Sequence, residues 1–402
     1  MSDQTPSPSR EEPSETDRGR PADPATEAGR PDPPPPAEPT RPTAPVEPVE
    51  PVEPIRGATE STGWLDLARV MAIGAVVLVH VLAQAVNGTV VDEGTPSWWL
   101  ANLLNAASRW CVPVFIMVSG ALVLDPRRVE RPRDFYRKRL ARLGIPLVVW
   151  TLVYLGFRRW FLAEPVDVTD AGRDVLAGTP FLQLYFLFVL LGLYLIAPFL
   201  RIVLRHTTRR MQAGFALVLL GLGVLDQLAT ALAGVGGANA ATRFLPFAGY
   251  FVAGWVLRDV VLDRRAVGVA AAAFGASVVL TAALTGLTSV PSGWGAGGRY
   301  LYGFLSPPVI VMSLSALVLL RVAGRRLGTR YGGRTTWLAG LTFGVFLVHP
   351  LVLYPLQSAW PLPPEVVAFT TVVLVQWTLT TAASLAITWV LLRIPYVRGA
   401  VS

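Results

Sequence analysis

The 402-residue chain is poor in the residues that build disulfides and metal sites. It contains one cysteine, Cys111, so an intramolecular disulfide is excluded. Its three histidines and the lack of an acidic pair at ligand spacing give no zinc motif, and we predict no metal and no tightly bound cofactor. Because Cys111 lies within an apolar stretch, we interpret it as a small buried side chain and not as a nucleophile.

Charge is also scarce. Only 15% of the residues are charged and 52% are hydrophobic, whereas soluble proteins carry about 25% charged residues. After residue 63 the apolar residues form blocks of about 20, the length that a helix needs to cross a bilayer. The sequence therefore predicts an all-α integral membrane protein. Its excess of basic residues lies in short loops between apolar blocks, which membrane topology explains better than a nucleic-acid partner.

The first 62 residues differ from the rest of the chain. They hold 16 of the 34 prolines and carry 13 acidic residues against 6 arginines. The repeat "PVEPVEPVEP" at 45–54 favours extended, polyproline-like backbone. Such a composition buries too little apolar surface to fold. We predict a disordered, Pro- and Glu-rich cytoplasmic tail over 1–62 and one membrane domain over 63–402, although a docking segment within the tail is the alternative.

The membrane domain is predicted to contain ten spans. They lie near 64–86, 97–124, 143–162, 180–200, 211–232, 243–260, 266–288, 301–322, 335–357 and 365–392. When the loops are assigned alternately to the two sides, 22 arginines and lysines fall on one side and five on the other. Because cytoplasmic loops carry the excess of basic residues, both termini are predicted to be cytoplasmic.

The first span, "WLDLARVMAIGAVVLVHV" at 64–81, carries an arginine and a histidine. Arg69 and His80 are eleven residues apart, so they lie on one stripe of the helix, about 16 Å apart along its axis. The predicted topology places Arg69 near the cytoplasm and His80 in the outer half. Asp66 is three residues before Arg69 and is predicted to pair with it. An ionisable residue at membrane depth is a functional hypothesis by default; the alternatives are a snorkelling arginine and a histidine bonded to a neighbouring helix.

Three further polar groups lie inside predicted spans. Arg109 in "SRWCVPVFIMVSG" is not near the inner end, which makes snorkelling difficult, and it is expected to face the bundle interior or a polar cavity. Asp226 in the fifth span is interpreted as structural, as a partner for Arg109 or as part of a polar cavity. His349 precedes Pro350, where a local kink is expected. We interpret His349 as facing substrate or packing, with a second catalytic histidine as an alternative.

The segment after the second span, 125–142, holds eight basic residues. Topology and anionic headgroups explain such a cluster. A polyphosphate site is the sharper hypothesis, because arginine matches phosphate in charge and in fork geometry.

These motifs together resemble the acyltransferase 3 family of integral membrane acyltransferases. The first span resembles the family's Arg-x10-His motif, here Arg69 and His80. "VPVFIMVSGALVL" at 112–124 resembles its second-span pattern ending in Ser-Gly, here Ser119–Gly120. "FYRKRLARLGIP" at 135–146 is similar to its Arg-x-x-Arg motif, here Arg139 and Arg142. "TFGVFLVHPLVL" at 342–353 resembles its penultimate-span pattern. The resemblance covers residues 64 to about 392 and none of the tail.

The resemblance implies transfer of an acyl group, often acetyl, from cytoplasmic acyl-CoA as co-substrate to a hydroxyl. The acceptor would be a cell-surface glycan, a lipid-linked sugar or a secreted small molecule, and the enzyme would be a multi-pass protein of the plasma membrane. Imidazole suits a general base at neutral pH, so His80 is the candidate base and Arg69 would support the donor or the cavity. Arg139 and Arg142 would bind the coenzyme phosphates. Arg109, Ser119 and His349 would contact substrate.

Acyl transfer leaves two questions and two alternatives open. Direct transfer and an acyl-histidine intermediate are both compatible with these residues, and a cytoplasmic thioester needs a route up to His80. A transporter or flippase for a glycan or small molecule is the alternative function, although the chain lacks the repeated halves that many transporters show. A structural or regulatory membrane protein is the third hypothesis, and it leaves Arg69 and His80 unexplained.

Overall fold

The computed structural model describes residues 63–128, 130–234, 238–260 and 262–401, without the side chains of 328–331. The predicted disorder of 1–62 concerns residues outside this range. The described chain is helical and contains no β-strand. Its α-helices are α1 Gly63–Val86, α2 Pro96–Ala106, α3 Cys111–Val123, α4 Pro132–Trp160, α5 Val168–Ala177, α6 Tyr185–Arg205, α7 Arg209–Ala233, α8 Ala248–Arg258, α9 Arg264–Ser289, α10 Ala296–Leu301, α11 Pro307–Ala359 and α12 Val366–Leu391. Short 3-10 turns cover Leu245–Phe247 and Arg398–Ala400.

Nine segments of the described residues are long and apolar enough to cross a membrane, one fewer than predicted. Two of them, Pro307–Leu327 and Gly332–Ala359, lie within the helical range of α11. The predicted span 243–260 instead forms a 3-10 turn followed by α8, which has 11 residues. At 1.5 Å per residue α8 is only about 16 Å long, about half the hydrocarbon thickness of a bilayer.

Helix α8 owes its position to packing against other helices. Eight of its residues are buried, and it packs against α3 and α7. Two glycines allow the close approach to α3: a Cβ on Gly120 would meet the Phe251 carbonyl, and a Cβ on Gly254 would meet the Met117 carbonyl. The Ser119–Gly120 pair therefore permits the close helix packing that small residues allow in membranes.

The Gly120→Ala substitution is expected to destabilise the protein. Its methyl group would overlap the Phe251 carbonyl, a backbone atom that cannot move away alone, so we expect a loss of at least about 1–3 kcal/mol. The melting temperature in detergent would measure this loss. Gly221→Ala on α7, where nothing lies within 4 Å, is the matched control; equal melting temperatures for the two variants would contradict the packing argument.

Helix α4 begins earlier than the sequence predicts. The segment 125–142 was expected to be a loop, but α4 starts at Pro132 and runs through Arg139 and Arg142 into the third span. Proline at the first helical position favours this start, and the following arginines, lysine and leucines are good helix formers. Because Arg139 and Arg142 are three residues apart on a helix, they lie on neighbouring positions of one face.

Helix α1 lies at the centre of the bundle. It packs against α2, α3, α11 and α12, and twelve of its residues are buried. Arg69 and His80 are both on this helix, as predicted, and the surrounding helices therefore decide what each of them faces.

Candidate active site

A cavity of about 460 Å³ lies at the end of the bundle where α4 begins. Its charged lining residues are Asp66, Arg69, Arg128, Arg139 and Arg142. Helices α1 and α4 therefore turn the predicted arginines toward one space, here called the inner cavity. With four arginines against one aspartate, its electrostatic character suits a polyanion.

The predicted pair between Asp66 and Arg69 is present and is tied to α11. Arg69 Nη1 donates to Asp66 Oδ1 at 3.2 Å. Thr336 Oγ1 donates to the other oxygen, Asp66 Oδ2, at 2.9 Å. Asp66 thus holds Arg69 against the cavity wall.

Arg139 is held by aromatic rings and keeps polar capacity for a ligand. Its guanidinium lies 5.3 Å from the ring centroid of Phe135 and 5.5 Å from that of Tyr194. Its buried Nε has no hydrogen-bond partner within the described residues. Lys138, its neighbour, is engaged elsewhere: Nζ donates to Glu130 Oε1 at 2.9 Å, and this hydrogen bond lowers the pKa of the Glu130 carboxyl. The cavity is therefore lined by arginine and not by lysine.

His80 lies in a second cavity of about 150 Å³, here called the reaction chamber. Arg109, Cys111, Gln183 and Tyr185 contribute to the same chamber, and the rest of its lining is apolar and aromatic. On the other side His80 borders a small pocket of about 50 Å³, whose walls include Gln84, Tyr354 and Gln357. The histidine therefore lies between the chamber and this small pocket.

His349 packs against His80, and the structure explains why it precedes a proline. The two ring centroids are 5.1 Å apart, with an angle of 38° between the ring planes. Pro350 has no N–H to donate to the Phe346 carbonyl four residues earlier. His349 Nδ1 occupies that place, 2.9 Å from the Phe346 oxygen and 3.1 Å from the Val345 oxygen.

These contacts fix the tautomer of His349. A carbonyl oxygen only accepts, so Nδ1 of His349 must carry a hydrogen and donate. Its Nε2 is buried and has no partner among the described residues, while the side chain as a whole is 0% exposed. His349 thus packs beside His80 with a free acceptor, although it lines neither the inner cavity nor the chamber. The expected kink does not interrupt α11, which continues through Pro350.

Arg109 enters the chamber from the break between α2 and α3. Its guanidinium lies 4.3 Å from the ring centroid of Tyr302, an arrangement typical of cation–π contacts. Tyr302 is fixed in turn by a hydrogen bond from its hydroxyl to the Asn102 side chain. The buried Nε of Arg109 has no hydrogen-bond partner in the described part of the chain. A rigidly held guanidinium with unused donors beside His80 is suited to stabilise an oxyanion.

The structure separates two other predicted residues from the chamber. Ser119 lines the inner cavity. Asp226 lines a different cleft together with Arg243 and Arg299, and it is not brought to Arg109. Sequence reasoning missed Gln183, Tyr185 and the aromatic walls of the chamber; a glutamine at the start of an apolar span was the one available signal for them.

The comparison with protein families agrees with the motifs. The chain matches the acyltransferase 3 family, described as an acyltransferase domain, over residues 62–393. Neither the curated proteins nor the solved structures give a match. The family match covers most of the chain and includes His80, Arg109 and both arginines of the Arg-x-x-Arg motif, Arg139 and Arg142. With its nine candidate membrane spans, this multi-pass membrane protein therefore belongs to the acyltransferase 3 family.

Proposed function

We propose that this protein is an O-acyltransferase that moves an acyl group, in the simplest case acetyl, from cytoplasmic acyl-CoA to a hydroxyl. The observation that carries this proposal is the pairing of two adjacent cavities, one lined by arginines and the other by His80 and Arg109. Family membership favours acyl transfer over the alternative of a transporter or flippase. The acceptor class is a cell-surface glycan, a lipid-linked sugar or a secreted metabolite.

The inner cavity is the proposed donor site. Coenzyme A carries a pyrophosphate and a ribose phosphate, and arginine binds phosphate through paired N–H donors. Arg139 and Arg142 lie on one face of α4 and line this cavity together with Arg69. Asp66 orients Arg69 and offsets only part of the positive charge.

The proposed chemistry takes place in the chamber. His80 removes the proton from the acceptor hydroxyl, and the oxygen attacks the thioester carbonyl. Arg109 stabilises the negative charge that develops on the carbonyl oxygen. The carbon–sulfur bond then breaks, and the imidazolium of His80 returns its proton to the departing sulfur. A route through an acyl-histidine uses the same residues, with His80 as nucleophile.

His349 is proposed as a positioning residue for His80. Its tautomer is fixed by the carbonyls of Val345 and Phe346, and its ring packs against the ring of His80. A rigid neighbour restricts the orientation of the base, which is the usual role of a group behind a catalytic histidine. The small pocket with Gln84, Tyr354 and Gln357 supplies polar groups on the side from which the acceptor would approach.

We also propose that both termini are cytoplasmic and that the protein resides in the plasma membrane. The segment 243–258 would then be a tenth crossing despite the short length of α8. Its first residue, Arg243, donates to the Ala177 carbonyl beside α5, whereas its last residue, Arg258, donates to the Ala121 carbonyl near the end of α3. The basic loops support this orientation.

Substitutions of Arg139 and Arg142 test the donor site. We expect each of Arg139→Ala and Arg142→Ala to weaken coenzyme A binding by about tenfold or more, since a charge-assisted hydrogen bond contributes roughly 1.5–3 kcal/mol. Isothermal titration of the purified protein with desulfo-coenzyme A measures this. Arg137→Ala is the matched control, because Arg137 lies on the same helix but is exposed and does not line the cavity. If both variants bind desulfo-coenzyme A as tightly as the wild type, Arg139 and Arg142 do not bind the donor, and their charge contributes only to membrane topology.

A further inference from the structure

The inner cavity and the reaction chamber are separated by an aromatic pair. Of all their lining residues, the two cavities share Phe186 and Phe346. The two ring centroids are 5.3 Å apart with an angle of 59° between the planes, and each side chain is only 5% exposed. The rings therefore form the wall between the arginines and His80.

The wall formed by the two rings lies between the proposed donor site and His80. A donor bound by Arg139 and Arg142 has its phosphates in the inner cavity, while His80 lies in the chamber. The thioester end must consequently pass between or beside the two rings. We propose that Phe186 and Phe346 form an aromatic gate that admits the acyl end of the donor to the chamber and limits it to short acyl groups; the identity of the donor rests on the function proposed above.

The positions of the two rings are consistent with a gate. Phe186 is the second residue of α6, directly after the irregular segment that precedes this helix. The ring of Phe186 borders both cavities, so a change of its rotamer has space on either side without movement of a helix. Phe346 lies near the middle of the apolar segment Gly332–Ala359 of α11, and its ring centroid lies 6.3 Å from that of His349. The moving side of the gate is therefore assigned to Phe186 and the fixed side to Phe346.

The gate and the chamber volume have two consequences. Closed rings keep the water of the inner cavity away from the thioester and from His80, which protects the donor from hydrolysis. The chamber of about 150 Å³ corresponds to about five water molecules at roughly 30 Å³ each. That space accommodates a short acyl group beside an acceptor hydroxyl but not a long-chain acyl group.

The single cysteine of the chain provides a direct test of the gate. Cys111 lines the chamber, does not line the inner cavity, and is 1% exposed. A sulfonate-bearing methanethiosulfonate reagent, applied to inside-out membrane vesicles, must pass the gate to reach this thiol. We expect slow labelling of the wild type and labelling accelerated by about tenfold or more in Phe186→Ala and Phe346→Ala, which corresponds to a barrier lowered by roughly 1.4 kcal/mol.

Phe343→Ala is the matched control for this labelling experiment. Phe343 lies on the same helix as Phe346 and lines the inner cavity but not the chamber. Its removal is expected to leave the labelling rate unchanged, and Cys111→Ser reports the background. Equal labelling rates for the wild type and both gate variants, or an equal acceleration in Phe343→Ala, would overturn the gate. Desulfo-coenzyme A binding and gel filtration identify variants that have lost their fold.

Acyl length is tested separately with acetyl-CoA and octanoyl-CoA. We expect the wild type to release coenzyme A from acetyl-CoA at least about tenfold faster than from octanoyl-CoA, and Phe186→Ala to reduce this preference. An unchanged preference in Phe186→Ala would overturn the size limit. If the wild type neither binds desulfo-coenzyme A nor consumes any acyl-CoA, the proposed function fails, whereas the labelling result still decides whether the gate exists.

Discussion

His80→Ala is expected to abolish acyl transfer while the protein still reaches the membrane. A positioned general base contributes about 10²–10⁴-fold to a reaction rate, and a nucleophilic histidine would contribute no less. The side chain borders both the chamber and the small pocket. Its removal therefore leaves no imidazole in the described lining of either space. Transfer of radiolabelled acetyl from acetyl-CoA in membranes that carry the variant measures the effect.

The histidine substitution has a control within the same chain. His206 directly follows the last residue of α6, and it is exposed. His206→Ala should therefore retain wild-type transfer at an equal amount of protein in the membrane. Undiminished transfer by His80→Ala would show that His80 is neither base nor nucleophile, and the interpretation of the chamber would have to change.

The second large effect is expected for Arg109. We predict that Arg109→Ala lowers the turnover rate by about 10²–10³-fold, the usual cost of removing an oxyanion donor. Binding of desulfo-coenzyme A should be unaffected, because Arg109 lines the chamber and not the inner cavity. Arg109→Lys should restore little of the rate, since the planar guanidinium stacks on the Tyr302 ring and an ammonium lacks its fork of donors.

Separate measurement of turnover and of donor affinity distinguishes this role from a structural one. Arg299→Ala is the control, because Arg299 is exposed and lines the separate cleft with Asp226. A fall in turnover at unchanged donor affinity supports stabilisation of the transition state. If Arg109→Lys transfers acyl groups as fast as the wild type, a fixed guanidinium is not required and the oxyanion role is wrong.

Several parts of the site follow from local patterns in the sequence. Helical spacing places Arg69 and His80 on one stripe of α1, and the Asp66–Arg69 pair follows from their separation of three residues. The charge of 125–142 predicts an anion site, and Arg139 and Arg142 do line the inner cavity. The Asp66–Arg69 pair is confirmed because it depends on one helix alone, whereas the anion site stays a prediction.

Other parts depend on contacts between distant segments. His349 lies 269 positions after His80 in the sequence, yet their rings are in contact. Hydrophobic periodicity predicts which face of a helix is buried, but it does not predict which helix packs against that face. The contact between His80 and His349 and the Phe186–Phe346 wall could therefore not be predicted from it. The segment 243–260 shows the same limit: α8 is short and buried against α3 and α7, and burial in protein gives the same apolar composition as burial in lipid, so composition alone does not distinguish a short packed helix from a full span.

The sequence by itself determined the membrane environment and the family of this protein. Long apolar blocks require helices in a bilayer, since backbone polar groups must be satisfied internally there. The ordered motifs identify an acyltransferase family, and the match over 62–393 confirms it. Only the tertiary structure decided that Arg69 and His80 face different cavities and that two phenylalanines stand between them. The physical reason is that a cavity is formed by side chains from several helices, and their relative rotation and register are set by packing across the whole bundle.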